Sequence, residues 1–215
     1  MSSETDPIAR VAAGYDQVGE AYFQYYRAAP SEVVTRYENL FIDQVTPGGS
    51  VLELGCGNGL PMTANLAEKF HVTGVDFSAG QIDRARRNVS GPTFIHADMT
   101  TVEFPDGTFD GIAACYSIIH VPRDLHGDLF HSIFSWLKPG GLFMATLNST
   151  SAEGSYEDDW FGAPMYWSGF DVDTSRQMIT DTGFETVSER VEVSDDPESD
   201  SEQEIHLWIV ARRPA

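Results

Sequence analysis

Gly55, Gly57 and Gly59 stand at alternate positions in VLELGCGNGLP, residues 51–61, directly behind a run that reads as a strand. Glycine at this spacing permits positive φ and lets a ligand touch the main chain. Leu60 and Pro61 then open a helix, whose first N–H groups suit an anionic group. Two familiar uses of such a loop fit poorly. A phosphate loop needs a Lys-Ser/Thr pair where Leu60 and Pro61 stand. A dinucleotide fold wants G-x-G-x-x-G, and this is G-x-G-x-G.

A third ligand fits the same chemistry. S-adenosylmethionine carries no phosphate, and its methionyl carboxylate and amine would face the loop. Asp76 in VTGVDFS lies 21 positions after Gly55 (76 − 55), where the second strand ends. A carboxylate there can accept from both hydroxyls of a ribose. Both nucleoside cofactors use such an acid, so Asp76 alone does not separate them. It could also cap the next helix, but Ser78 already fills that place.

The elements that must position these residues alternate between short apolar runs and helical patterns, the sign of an α/β fold with a mainly parallel sheet. Strands are expected near Ser50–Leu54, Val72–Val75, Thr93–His96, Phe109–Ala114, Leu142–Asn148, Glu185–Val193 and Glu204–Ala211. The acidic stretch SDDPESDSEQE between the last two reads as a mobile loop. Ser31 is an expected N-cap, with Val33, Tyr37, Leu40 and Phe41 on one face; Ser78 and Gln81 form a capping box before Ile82, Ala85 and Val89. Pro122 suits a first helical turn before Leu125, Leu129, Ile133 and Leu137, and LKPGG reads as a helix stop. Aromatic residues gather in 11–26 and 149–170, segments suited to a lid or pocket wall, or to satellite packing.

Composition narrows the partners. The chain has 215 residues and a formal net charge of −20, from 13 basic and 33 acidic side chains. Such a surface repels phosphate backbones, so no nucleic-acid partner is expected. There is no long apolar run, so no membrane span is expected, and a soluble cytoplasmic protein follows, monomer or homodimer. Cys56 and Cys115 are too few for a disulfide scaffold and read as free thiols. His120, Asp124, His126, Asp128 and His131 have ligand chemistry, but Asp124, Asp128 and His131 share a helical face that a solvated surface explains; no metal is expected.

VLELGCGNGLP, VTGVDFS, HADMTTVEFPDGTFDGI, YSIIHVPRD and LKPGG, in that order, resemble the class I S-adenosylmethionine-dependent methyltransferases, and most of all the branch acting on small molecules. The likeness runs from about Tyr15 to Phe184. It implies a Rossmann-like single domain over 1–215: an N-terminal helical lid over 1–45, a cofactor-binding core over 46–148, and a substrate-covering segment with the last two strands over 149–215. A seven-stranded, mostly parallel sheet flanked by helices, with an aromatic insertion after strand five, belongs to the same expectation. By resemblance, Glu53 orients the loop and the methionyl amine, and Gly55, Cys56, Gly57, Asn58 and Gly59 form the loop beneath that moiety. Asp76 holds the ribose, Phe77 lies beside the adenine, Asp98 accepts from its amino group and the Met99 N–H meets a ring nitrogen. Cys115 lends a carbonyl to the amine. Tyr15 and Tyr22 match a segment that closes over the cofactor, and Gln81 serves the cofactor or only its capping box.

The expected reaction is methyl transfer to an oxygen or nitrogen of a small, aromatic metabolite. The Asn/Asp-Pro-Pro-Tyr/Phe sequence of enzymes that methylate amino groups of nucleic acids and some proteins is replaced by CYSIIH, and no catecholate-type metal set is recognisable; together these favour a metal-free enzyme on a small acceptor. His120 is the candidate general base, because imidazole titrates near neutrality; shaping the helix start is its other reading. Tyr116, His120, Trp160, Phe161, Met165, Tyr166 and Trp167 are the expected acceptor contacts, able to stack on a ring or surround an amine. Two competing classes are a nicotinamide oxidoreductase, opposed by the loop spacing and the missing Tyr-x-x-x-Lys pair, and a catalytically silent module that only binds the cofactor.

Overall fold

The structure, a computed structural model, describes residues 6–27, 31–193 and 205–215, with the side chains of 19–27 outside the description. The acidic stretch 194–204 and the ring of Tyr22 therefore lie outside the described residues. The strands β1 (Ser50–Leu54), β2 (His71–Asp76), β3 (Thr93–His96), β4 (Phe109–Ala114), β5 (Leu137–Asn148), β8 (Glu185–Val193) and β9 (Ile205–Arg212) form one sheet. Its order is β3-β2-β1-β4-β5-β9-β8. The first five run parallel, and β9 is antiparallel to both its neighbours. The chain leaves β1 towards β2 on one side and later returns to β4 on the other, so a crevice opens beyond the carboxyl ends of β1 and β4.

Side-chain alternation along β1 explains why helices cover both faces. Leu52 and Leu54 pack with Ile112, Phe143 and Leu147 beneath α5 (His126–Trp136) and α6 (Val172–Thr182). Val51 points the other way, joining Phe41, Leu66, Met144 and Trp208 beneath α2 (Glu32–Gln44) and α3 (Met62–Ala67). There the Tyr37 ring stacks on Trp208 at 4.6 Å. A third cluster seats α4 (Ala79–Asn88) through Ile82, Ala85 and Val89 against Phe94 and Cys56. Both expected N-caps form: Ser31 Oγ accepts from the Val34 N–H at 3.1 Å, and Ser78 Oγ from the Gln81 N–H at 3.0 Å. The Gln81 side chain does not close the capping box, since its buried Oε1 has no hydrogen-bond partner.

Three features differ from the sequence reading. LKPGG does not lie in a helix-to-strand turn: α5 ends at Trp136 and Leu137 already belongs to β5, with the register against β4 shifting between Phe109 and Gly111. Helix α6 was not expected, although Asp171 caps its N-terminus and Gly183 ends it with φ 106°. The aromatic insertion is a β-hairpin, β6 (Ala152–Trp160) and β7 (Ala163–Gly169). Trp160 pairs with Ala163, leaving a two-residue turn in which Phe161 and Gly162 have φ of 50° and 81°. A type I′ turn needs positive φ at both positions, which Asn-Gly advertises and Phe-Gly does not.

Candidate active site

Helix α1 (Pro7–Arg27) lies across the open crevice and is tied at three places. Asp16 Oδ1 accepts from Ser78 Oγ at 2.5 Å and from the Gly80 N–H at 3.0 Å, fixing α1 over the start of α4. Arg10 donates to the main-chain oxygens of Met165 and Glu157 at 3.2 and 3.0 Å and pairs with Asp158; Gln17 donates to the Gly162 oxygen at 2.6 Å. Val11 packs with Met165 and Tyr166, with Tyr15, Phe77, Trp160 and Trp167 at the margin. The approach is close: a Cβ at Gly14 would lie 2.4 Å from the Pro164 oxygen. Beneath α1, a small cavity is lined by Ile8, Phe77, Asp98, Met99, Ser117, His120 and Val121.

The glycine loop adopts positive φ at all three glycines. At Gly55 glycine is also required for space, because a Cβ there would stand 2.3 Å from Ser117 Cβ. Asp76 holds the loop from the next strand: Oδ2 accepts from the Gly57 N–H and Oδ1 from the Ser78 N–H, each at 2.9 Å. Asn58 is spent locally, its Oδ1 accepting from the Leu60 N–H at 3.0 Å. The Cys56 side chain faces the sheet, where it fills the space left by Gly74. Burial pushes the thiols of Cys56 and Cys115 up, so neither is a thiolate. Asp98 Oδ1 accepts from the Thr100 N–H and hydroxyl, both at 2.8 Å.

The carboxyls of the site sit in unusual surroundings. Glu53 is buried at the end of β1 and accepts from the Thr63 hydroxyl at 2.5 Å. Burial pushes it up to about 8, helped by the charges of Glu38 and Asp76 and opposed by Thr63. Asp76 is pushed up to about 6, again by burial first, against the two N–H groups that favour its charge. A ligand that brings positive charge next to Glu53, and hydroxyl donors next to Asp76, offsets this desolvation. A pyrophosphate would worsen it. The donor set and the tight, side-chain-free loop at Gly55 therefore fit S-adenosylmethionine.

Near the hairpin, His120 is buried with both ring nitrogens engaged. Nδ1 lies 2.8 Å from the Tyr166 oxygen, a pure acceptor, so Nδ1 carries the proton. Nε2 then accepts from the Tyr15 hydroxyl at 2.9 Å. Burial lowers the imidazole to about 4, so it is neutral at pH 7. Trp167 and Trp160 complete this wall: Trp167 stands 5.9 Å from His120, and Trp160 stands 5.7 Å from Tyr15. Not every expected acceptor residue joins it. Met165 and Tyr166 are fully packed against α1, and of Tyr166 the carbonyl reaches His120. Phe161 projects at the hairpin tip, 43% exposed. Tyr116, with φ 51°, packs on the α2 side, edge-on to His206 at 5.2 Å and Trp208 at 5.7 Å.

Four residues around the site were not anticipated. Ser117 lines the cavity with a buried hydroxyl that has no hydrogen-bond partner, and Ile8 faces it from α1. Asp16 is adjacent to Tyr15, but nothing local announces a contact 62 residues away. His206, lowered to about 4 by burial, lies in an apolar strand and reads there as core. Among the described residues there is no group of three or more His, Cys, Asp or Glu arranged to hold a metal, and no helix long and apolar enough to cross a membrane.

This strand order, glycine loop and acid series define a class I methyltransferase fold. Residues 51–141 match the family described as Methyltransferase domain. Phosphoethanolamine N-methyltransferase of Triticum aestivum is 35% identical over 158 residues, which are 68% of this chain and 30% of that protein. Sterol 24-C-methyltransferase erg-4 of Neurospora crassa is 35% identical over 136 residues, 56% of this chain and 35% of that one. The chain thus spans about a third of the length of these curated relatives. Magnesium protoporphyrin IX methyltransferase of Synechocystis, solved with bound S-adenosylmethionine, superposes with a TM-score of 0.73 at 15% identity, covering 99% of this chain and all of that one. Residues 51–141 are thus a methyltransferase domain by family match, and the chain has the fold of solved S-adenosylmethionine-dependent methyltransferases.

Gly55→Ala forces a side chain into positive φ against Ser117 and is expected to lower the melting temperature by roughly 5–10 °C. A calorimetric midpoint within 2 °C of the parent, on the order of 1 kcal/mol or less, would show that the loop can relax.

Proposed function

We propose that the chain transfers the methyl group of S-adenosylmethionine to an oxygen or nitrogen of a small, aromatic metabolite. One observation supports it above others: adjacent β1 and β2 end in two buried carboxyls, Glu53 and Asp76, on either side of the glycine loop. That pair suits a cationic, hydroxyl-bearing ligand and opposes a pyrophosphate. Glu53 and the Cys115 carbonyl would hold the amino-acid end, Asp76 the sugar, and Phe77, Asp98 and Met99 the base. When bound, the cofactor supplies a methyl carbon already activated by the sulfonium charge. The chain's residues then have to align the acceptor and exclude water, a contribution worth up to roughly 7–11 kcal/mol in model systems.

The wall of Tyr15, His120, Trp160 and Trp167 supports a planar or apolar acceptor. The relatives act, by their names, on phosphoethanolamine, a sterol and magnesium protoporphyrin IX, small molecules in each case. Here His120 holds the Tyr15 hydroxyl, and a proton leaving the acceptor would pass through that hydroxyl to Nε2. Incubation with methyl-labelled S-adenosylmethionine and a panel of phenols, aromatic amines and phosphoethanolamine tests the reading. Label in an organic product is the expected result. Cofactor binding without transfer to any member would favour the silent module, and no binding at all would end the proposal.

A further inference from the structure

The cofactor assignment above leaves one charged group without a partner. Glu53 and the Cys115 carbonyl are both assigned to the ammonium of the amino-acid end, and nothing yet holds its carboxylate. The glycine loop does not supply the donors. The Gly55 and Cys56 N–H groups donate to the Val75 oxygen at 2.8 and 3.0 Å, and the Gly59 N–H to the Cys56 oxygen at 3.0 Å. The Gly57 N–H is given to Asp76 and the Leu60 N–H to Asn58. Pro61 has no N–H. In α3, the Ala64 and Asn65 N–H groups turn back to the Gly59 and Pro61 oxygens.

An unused donor stands against this loop. Ser117, just past β4, is 7% exposed, and its hydroxyl has no hydrogen-bond partner. It abuts the loop closely: a Cβ at Gly55 would lie 2.3 Å from Ser117 Cβ and 3.1 Å from its Oγ. Ser117 also lines the cavity beneath α1, together with Phe77, Asp98 and His120. Both ring nitrogens of His120 are engaged elsewhere. Among the described residues, no lysine or arginine lines that cavity. A buried hydroxyl without a partner costs free energy, which an acceptor on a ligand would return. We propose that the Ser117 hydroxyl donates to the methionyl carboxylate of the cofactor and so selects nucleosides that carry the amino-acid end. This rests on the cofactor assignment above. A neutral donor suits the place, because a lysine or arginine there would pair with Glu53 and compete with the ammonium.

Calorimetric titration of the full chain with two ligands tests the contact. One is S-adenosylmethionine. The other is decarboxylated S-adenosylmethionine, which keeps the ammonium, sulfonium, sugar and base but lacks the carboxylate. Ser117→Ala is expected to raise the dissociation constant for S-adenosylmethionine by roughly ten- to a hundredfold, the worth of a hydrogen bond to a charged group. For the decarboxylated ligand the same variant should change it by less than about threefold. Ser117→Gly, which also lacks the hydroxyl, should show the same contrast. Equal losses for both ligands would place the hydroxyl on another part of the cofactor, and an unchanged affinity for S-adenosylmethionine would deny it any cofactor contact. Either result overturns the inference and leaves the cofactor assignment standing. If the unmodified chain binds neither ligand, the assignment itself has failed. Melting curves of the two variants identify misfolding. The unmodified chain gives a check that needs no variant: it should bind S-adenosylmethionine at least about tenfold more tightly than the decarboxylated ligand, and equal affinities would sink the inference.

Discussion

Asp76→Ala is expected to raise the dissociation constant for S-adenosylmethionine by roughly a hundredfold or more. The side chain would accept from two ribose hydroxyls, and hydrogen bonds to a charged group are each worth about 1.5–3 kcal/mol. Its two oxygens also tie the Gly57 and Ser78 N–H groups at 2.9 Å, so its loss frees the loop that shapes the rest of the site. Asp76→Asn should fall between parent and alanine, because its amide nitrogen can no longer accept. Calorimetry with S-adenosylhomocysteine reads the same contact without turnover. A change of less than about threefold in the alanine variant, under ~1 kcal/mol, would remove Asp76 from the sugar site.

The second large effect belongs to the Tyr15–His120 contact. If a proton travels through it, Tyr15→Phe and His120→Ala should each lower turnover by ~10²-fold or more, the usual worth of positioned acid–base groups. Cofactor affinity should stay within a few-fold. If the contact only holds α1 down, affinity will instead fall in step with rate. The pH profile separates a further possibility. With the imidazole lowered to about 4, its protonated form is a small minority by pH 5 and negligible at pH 7, so His120 adds no acid limb near neutrality. A limb near 6.5 that vanishes in His120→Ala would show that the ring is solvated and basic during catalysis.

Much of this was legible in the sequence because local signals and the fold agree there. Six of the seven strands of the main sheet were expected close to their observed limits, the parallel ones because buried strands are short apolar runs between punctuating turns, whereas β5 begins at Leu137 and not at Leu142. The proposed cofactor acids stood out by position and by resemblance: Glu53, Asp76 and Asp98 fall at or just past strand ends, and strand ends define the crevice. The hairpin was not, because its β6 residues are polar and mostly exposed and its turn carries Phe161 where Asn is usual. Long-range polar contacts were equally hidden. Asp16 finding Ser78, and Tyr15 finding His120, depend on how α1 lies across the sheet, which no local pattern specifies. The roles of Met165 and Tyr166 show the opposite difficulty: aromatic or large residues in an insertion look like acceptor contacts, yet these two are packing against a helix.

The attachment of the hairpin has a consequence for diversification. Arg10 and Gln17 grip main-chain oxygens of Glu157, Met165 and Gly162, and backbone carbonyls are the same whatever residue bears them. Exchanging the side chains at Trp160, Phe161 and Trp167 therefore leaves these fastenings in place. The insertion behaves as a replaceable cassette, whose inner surface can be recut for a new molecule while its mounting brackets remain untouched.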